Sequence, residues 1–268
     1  MTSLLQVWAF LRRDYVLASA SPLAYAWQFA GVILVAPLLH YVGRLIPASR
    51  HLEQFGGDYF AFVVLGVGAF GFLSAGTATV TAAVRQEQTV GTMETILATP
   101  VSITTLVLGA ALWPLLIAAA NMLLYLIIAG RVFGADLTKA NLLSGAAILA
   151  FALPSAIAVS VMGAALVLVF HHPDPITGVF TGLSALLAGV FYPTTVLPPA
   201  LQRLAEFLPW THALRAVRLA VLQGYGLGAL QKELVVLVGF AAVLVPVSIA
   251  SFRRALQYAK ATGTLHPY

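Results

Sequence analysis

The sequence predicts an all-α, polytopic membrane protein with six transmembrane helices. Of its 268 residues, 60% are hydrophobic and only 9% are charged, whereas a soluble domain carries about 25% charged residues. A spanning helix needs about 20 mainly apolar residues. Uncharged windows of about this length recur along the whole chain. Cysteine is absent, which excludes a disulfide framework and Cys-ligated metal centres.

The first element is an amphipathic interface helix at residues 1–20, where Leu4, Trp8, Leu11 and Tyr15 share one helical stripe. We place the spans at residues 23–42, 59–83, 104–129, 141–169, 176–192 and 234–251. Four of them contain a proline, which membrane helices tolerate: Pro37, Pro114, Pro154 and Pro246. We expect one transmembrane domain over residues 1–268.

Small residues recur at helical spacing in the second span, as Gly68, Gly71, Ala75 and Thr79. Such a face allows two helices to approach closely. We favour packing within one subunit over a subunit interface. No Asp, Glu, Lys or Arg lies inside a predicted span, which argues against ion-coupled transport.

A polar segment, residues 85–102, separates the second and third spans and carries Arg85, Glu87 and Glu94. Gly91 can serve as an N-cap with Glu94 near the positive end of the helix dipole. Pro100 then ends the helix, because the residue before a proline disfavours the α region. The pattern predicts a short helix on the membrane surface, and an ordinary loop helix is the plainest interpretation of it.

A hairpin segment, residues 193–225, follows the fifth predicted span and is divided by several prolines. Its second half predicts a helix from Thr211 to Gln223 in which Arg215 and Arg218 lie opposite the apolar residues. Both arginines are then placed to meet lipid phosphates. Two surface helices at the headgroups and a re-entrant hairpin both fit this pattern.

Several kinds of chemistry are missing. The three lysines are Lys139, Lys232 and Lys260, and none follows a glycine, so the chain has no phosphate loop for ATP. The cluster His171-His172-Pro173-Asp174 favours a turn over a metal site, and we expect no bound metal. The net charge of +5 suits anionic lipid headgroups, while the scattered basic residues argue against nucleic-acid binding.

Two motifs carry a family resemblance. The string R-Q-E-Q-T-V-G-T-M-E-T-I-L-A-T-P-V-S at residues 85–102 resembles the segment after the second span in permeases of the type-2 ATP-binding-cassette (ABC) exporter family. The string L-A-G-V-F-Y-P-T-T-V-L-P-P-A-L-Q at residues 187–202, followed by F-L-P-W-T-H at 207–212, is similar to the family's exit from the fifth span. The motifs occur in the family's order, so the resemblance covers nearly the whole chain.

The resemblance implies that the polar segment is a cytoplasmic coupling helix that docks on an ATPase subunit. The positions that match its motif are Glu87, Gly91, Thr92, Glu94 and Pro100. It also implies that the hairpin segment is an extracytoplasmic re-entrant gate. The positions assigned to that gate are Phe191, Tyr192, Pro193, Leu197 and Pro198.

By the same resemblance, the chain is the permease subunit of an exporter for a hydrophobic or amphiphilic substrate, such as a drug, lipid, glycolipid or polysaccharide. Its partners are two ABC ATPase subunits, a second permease copy in a homodimer, and membrane lipids. It is itself no enzyme and binds no cofactor, since ATP and Mg belong to the ATPase.

The location implied is the inner (plasma) membrane of a prokaryote, with both termini cytoplasmic. This orientation depends on the resemblance, because Lys and Arg number six on the cytoplasmic side and eight on the other. Two alternatives from other classes stay open. One is a membrane-embedded enzyme of lipid metabolism that uses His171, His172 and Asp174, and the other is a non-catalytic assembly subunit.

Overall fold

The computed structural model describes residues 2–20, 22–45, 50–91, 103–170 and 175–262. Within these ranges the chain forms helices and no β-strand, which confirms the all-α prediction. The α-helices, in chain order, are α1 (Thr2–Ala20), α2 (Pro22–Leu45), α3 (Tyr59–Val90), α4 (Ile103–Ile127), α5 (Leu142–Phe170), α6 (Pro175–Leu187), α7 (Pro199–Glu206), α8 (Pro209–Gln223) and α9 (Gln231–Thr262). Two 3₁₀ turns, Arg50–Phe55 and Thr194–Val196, and a π-turn, Ile128–Val132, connect them.

Five of the described helices are long and apolar enough to cross a membrane: α2, α3, α4, α5 and α9. The fifth predicted span is shorter than expected, because α6 has 13 residues and is therefore only about 20 Å long. It ends at Leu187 because Gly189 adopts a φ of 75° and the Val190 N–H donates to Ala185 O at 3.3 Å. That geometry is a Schellman-type helix end, and the predicted count of six spans is not confirmed.

Helix α3 lies at the centre of the bundle. It begins at Tyr59 because the Asp58 carboxylate accepts a hydrogen bond from the Phe60 N–H at 2.9 Å, as an N-cap residue does. It packs against α4 on one side and α5 on another, and α5 packs in turn against α9. Phe62, Leu65 and Leu73 of α3 are completely buried.

A buried serine joins α3 to α5. Ser160 Oγ accepts hydrogen bonds from the Val80 N–H at 2.9 Å and the Thr81 N–H at 3.2 Å. Thr81 Oγ1 donates to Ser160 O at 2.7 Å. Polar contacts of this kind hold helices together where no water is present.

The small-residue face of α3 is only partly used in packing within the chain. A Cβ on Gly68 would lie 3.5 Å from Met122 of α4, so this glycine is in close contact. Thr79 is buried as well. A Cβ on Gly71 would meet no atom within 4 Å, and this glycine lines an open cavity between α2, α3 and α4.

The four predicted intramembrane prolines all lie inside helices. Pro37 is in α2, Pro114 in α4, Pro154 in α5 and Pro246 in α9. Each helix continues on both sides of its proline, as membrane helices can when neighbouring groups satisfy the freed carbonyl.

Candidate functional site

The first part of the polar segment is a continuation of α3, which runs to Val90. Gly91 closes this helix in the left-handed conformation (φ 78°, ψ 14°), and its N–H donates to Gln88 O at 3.1 Å. The prediction that Gly91 is an N-cap is wrong, because an N-cap residue has an extended backbone. Glycine suits the observed position because it has no Cβ to resist a positive φ. Thr92, Glu94 and Pro100 lie outside the described residues.

Glu87 lies on the last turns of α3 and faces α1. Its Oε1 is 3.4 Å from Arg13 Nη1, and Arg13 Nε is 3.0 Å from Asp14 Oδ1. The Arg13 guanidinium also lies 5.2 Å from the centroid of the Phe10 ring. The sequence indicated Glu87 as a functional position, but it gave no sign that an arginine 74 positions earlier would reach it.

Helix α1 also contacts the first half of α4. A Cβ on Gly109 would come within 2.7 Å of the Phe10 ring, so glycine permits this approach. The Tyr15 and Trp113 rings meet edge to face with centroids 6.0 Å apart. Helix α1 therefore braces the two helices, α3 and α4, that flank residues 92–102 on either side.

The five residues assigned to the gate lie between α6 and α7, but their environments differ. Pro193 is buried, Tyr192 and Leu197 are half-buried, and Phe191 and Pro198 are exposed. Gln202 of α7 fixes the loop, because its Nε2 donates to Leu197 O at 2.7 Å. The loop is thus a defined structure in which only part of the predicted set is accessible.

Arg218 of α8 is the most unusual residue in this region, since only 3% of it is exposed. Its Nε donates to Phe62 O at 3.2 Å, Nη1 to Gly189 O at 2.9 Å and Nη2 to Val190 O at 2.8 Å. Burial lowers the pKa of Arg218 to about 9, which is still above neutral pH, so the guanidinium keeps its charge. This side chain ties the end of α6 to the first turn of α3.

A glycine makes room for this contact. A Cβ on Gly66 would lie 2.1 Å from Arg218 Nη2 and 2.5 Å from Val190 O, far inside van der Waals contact. Gly66 is therefore required for the close approach of α8 and the α6 terminus to α3.

The prediction that Arg218 meets lipid phosphates is wrong. The helix predicted from Thr211 to Gln223 is present as α8, but of the two alternatives left open for it, the surface helix does not fit. Most of α8 is buried against α3, α5 and α9. Helical spacing could have shown this, because Leu214, Arg218 and Val221 are separated by four and three residues and so share one face. Arg215 is the more accessible arginine, and it pairs with Glu206.

Glu206 joins α7 to α8. Its carboxylate pairs with Arg215, and its other oxygen lies 3.3 Å from His212 Nε2. Thr211 Oγ1 donates to Ala205 O at 2.6 Å. A cavity of about 190 Å³ lies between α8, the first turn of α3, the Arg50–Phe55 turn and the loop at Pro193.

The histidine cluster at residues 171–174 lies outside the described residues. Among the residues that the structure describes, no group of three or more His, Cys, Asp or Glu side chains could hold a metal ion. The expectation that the chain binds no metal stays a prediction.

The fold and these sites define a class: an all-helical, multi-pass membrane protein whose polar segments lie between its long apolar helices. A family model for ABC-2 family transporter proteins matches residues 44–250. The chain therefore belongs to the ABC-2 family of membrane transporters, as the two motifs indicated. A search of curated proteins finds no match.

Proposed function

We propose that this chain is the permease subunit of an ATP-driven exporter, powered by separate ATPase subunits that dock on residues 85–102. The observation that carries the proposal is the continuity of α3 within a member of this transporter family. The helix joins the polar segment at one end to the Arg218 contact at the other.

Helix α3 is long enough to transmit motion from the polar segment to the Arg218 contact. Its 32 residues form a rod of about 48 Å, with Glu87 near one end and Phe62 near the other. A displacement of the polar segment by an ATPase would move this rod and with it the α6 terminus that Arg218 holds. Coupling between distant sites requires such a contiguous rigid element.

Helix α1 moves together with α3 and α4 in this proposal. It is bound to α3 through Arg13 and Glu87 and packed on α4 through Phe10 and Gly109. A force on residues 92–102 would therefore reach α1, α3 and α4 together. The gate would be the loop at Phe191–Pro198, whose position depends on the end of α6.

The proposed cargo is hydrophobic or amphiphilic. The predicted spans that correspond to α2, α4, α5 and α9 contain no Asp, Glu, Lys or Arg. They therefore offer no pathway for an ion. We further propose a homodimer with two ATPase subunits, in a prokaryotic inner membrane with both termini cytoplasmic. ATP and Mg are then bound by the ATPase.

The test is reconstitution of the purified chain with a candidate cognate ABC ATPase. We expect a stable complex whose ATP hydrolysis rises with added cargo, and we expect Glu94→Arg to abolish transport. Glu53→Arg is the matched control, since Glu53 is exposed on the Arg50–Phe55 turn at the opposite end of α3. Failure to bind any cognate ATPase, together with full transport by Glu94→Arg, would refute the proposal.

A further inference from the structure

The cavity of about 190 Å³ beside α8 has a polar lining of one sign of charge. This lining comes from three segments: the turn before α3, the loop after α6, and α8. The polar residues are Gln54, Thr194, Thr195, Thr211, Arg215 and Arg218. In the part of the chain that the structure describes, two arginines and no Asp or Glu therefore border this cavity.

The charge of Arg218 has no negative partner. Among the described residues Arg218 forms no ion pair, and its surroundings are three carbonyl oxygens and the Phe62 ring. Carbonyl groups are dipoles, so the region beside the cavity keeps a net positive charge. An anion in the cavity would be attracted by this charge without touching Arg218, because electrostatic interactions are strong where water is largely excluded.

Arg215 is the cation that such an anion would contact. It lies three residues before Arg218, on a neighbouring part of the α8 surface, and 30% of its side chain is exposed. A guanidinium has five N–H donors, and among the described residues only Glu206 accepts from Arg215, through Nη2. Glu206 itself does not line the cavity, so Arg215 keeps donors for a ligand.

The arrangement of donors favours a phosphate group over a planar carboxylate. A guanidinium matches the spacing of phosphate oxygens, and a tetrahedral anion presents its remaining oxygens to the other walls. Those walls carry the Gln54 amide and the Thr194 hydroxyl. The volume is about six times the ~30 Å³ that one water occupies in the liquid, which admits a phosphate group and leaves any attached chains outside.

We propose that this cavity binds a phosphate group, free or in a lipid headgroup, with Arg215 as the contacting cation and Arg218 as a buried positive charge that attracts it. Thr195 Oγ1 lies 3.1 Å from His51 Nδ1, so the loop after α6 and the turn before α3 already meet beside the cavity. A bound phosphate would join both segments to α8. The proposal depends neither on an ATPase nor on the exported molecule.

The experiment uses the purified full-length chain in detergent, without an ATPase and in a phosphate-free buffer of constant ionic strength. One probe is radiolabelled inorganic phosphate, and the other is radiolabelled dihexanoyl phosphatidylglycerol, a soluble short-chain lipid. Equilibrium dialysis measures binding, and protein-free micelles give the background. We expect saturable binding of one phosphate group per chain. Unlabelled dihexanoylglycerol, which lacks the phosphate, should not displace either probe.

Three variants test the residues. Arg215→Gln should lower the affinity at least about tenfold, the effect of losing one charge-assisted hydrogen bond. Arg203→Gln is the matched control and should bind like the wild type, because Arg203 is an exposed arginine of the neighbouring α7 that does not line the cavity. Glu206→Gln should raise the affinity severalfold, since it frees Arg215 from its carboxylate partner.

Gln54→Glu is an independent test at an exposed position of the lining, where the new carboxylate should abolish binding by repulsion. Unfolding midpoints without phosphate show that each variant is folded. Binding of inorganic phosphate shows that the free anion suffices, and binding of the lipid alone assigns the site to a headgroup. The proposal is overturned if neither probe binds saturably, if Arg203→Gln weakens binding as much as Arg215→Gln, or if Gln54→Glu binds like the wild type.

Discussion

The guanidinium carbon of Arg218 lies 3.6 Å from the centroid of the Phe62 ring, while its Nε donates to Phe62 O. One residue of α3 thus offers Arg218 both an aromatic face and a backbone acceptor. A cation over an aromatic ring is stabilised most where water is excluded. Together with Gly189 O and Val190 O, this contact compensates a charge that would otherwise be costly to bury.

The first prediction concerns Arg218 itself. Arg218→Gln should destabilise the protein by at least about 2 kcal/mol, because it removes the donors for three buried carbonyl groups. Thermal unfolding in detergent measures this. Arg215→Gln is the control, since Arg215 and Glu206 form a partly exposed pair, which is worth about 0–1 kcal/mol. Equal midpoints for both variants would contradict a clamping role for Arg218.

The second prediction concerns the space beneath that side chain. Gly66→Ala should lower the free energy of unfolding by about 1–3 kcal/mol, since overpacking forces the surrounding groups to shift. The added Cβ would meet Arg218 and Val190. Gly71→Ala on the same helix has open space around the new methyl group, so its unfolding midpoint should not fall. Equal unfolding midpoints for Gly66→Ala and Gly71→Ala would contradict the close packing at Gly66.

The third prediction concerns Arg13 and Glu87 at the other end of α3. Their side chains are 48% and 22% exposed, so breaking the pair should change stability by less than about 1 kcal/mol. If the pair transmits motion, Arg13→Gln and Glu87→Gln should each reduce ATP-driven transport in reconstituted vesicles. The double variant should transport no more slowly than the less active of the two single variants, because the two residues act as one unit.

Arg12→Gln supplies the control for that experiment, as Arg12 is an exposed neighbour on the same helix. It removes the same charge and leaves the pair intact. Additive losses in the double variant, or an equal loss in Arg12→Gln, would show that charge alone and not the contact matters.

The sequence predicted the long helices well, because hydrophobic length and turn chemistry are local. The span predicted at residues 141–169 corresponds to helix α5, Leu142–Phe170. The second span begins at Tyr59, as predicted. The error at residues 176–192 has a local cause as well. Gly189 adopts a positive φ, which ends α6 early. A count of apolar residues along the sequence cannot detect this.

The candidate sites were harder to predict, because they depend on which helices meet. Glu87 and Gly91 were identified as important, yet the partner of Glu87 comes from α1 and Gly91 ends a helix instead of starting one. Arg218 was placed at the lipid headgroups because it was expected to lie opposite the apolar residues of its helix, where lipid phosphates are within reach. Its three carbonyl acceptors come from two distant segments, which no local pattern reveals.

The last prediction compares two serines of α5 that are both fully buried, Ser160 and Ser155. Ser160 Oγ accepts from the Val80 and Thr81 N–H groups, whereas Ser155 Oγ has no hydrogen-bond partner among the described residues. Ser160→Ala should therefore destabilise the α3–α5 contact by about 1–3 kcal/mol. Ser155→Ala should be neutral or slightly stabilising, since it removes a buried hydroxyl that makes no bond. Unfolding midpoints in detergent decide the matter, and a larger loss for Ser155→Ala would mean that Ser160 does not hold the two helices together.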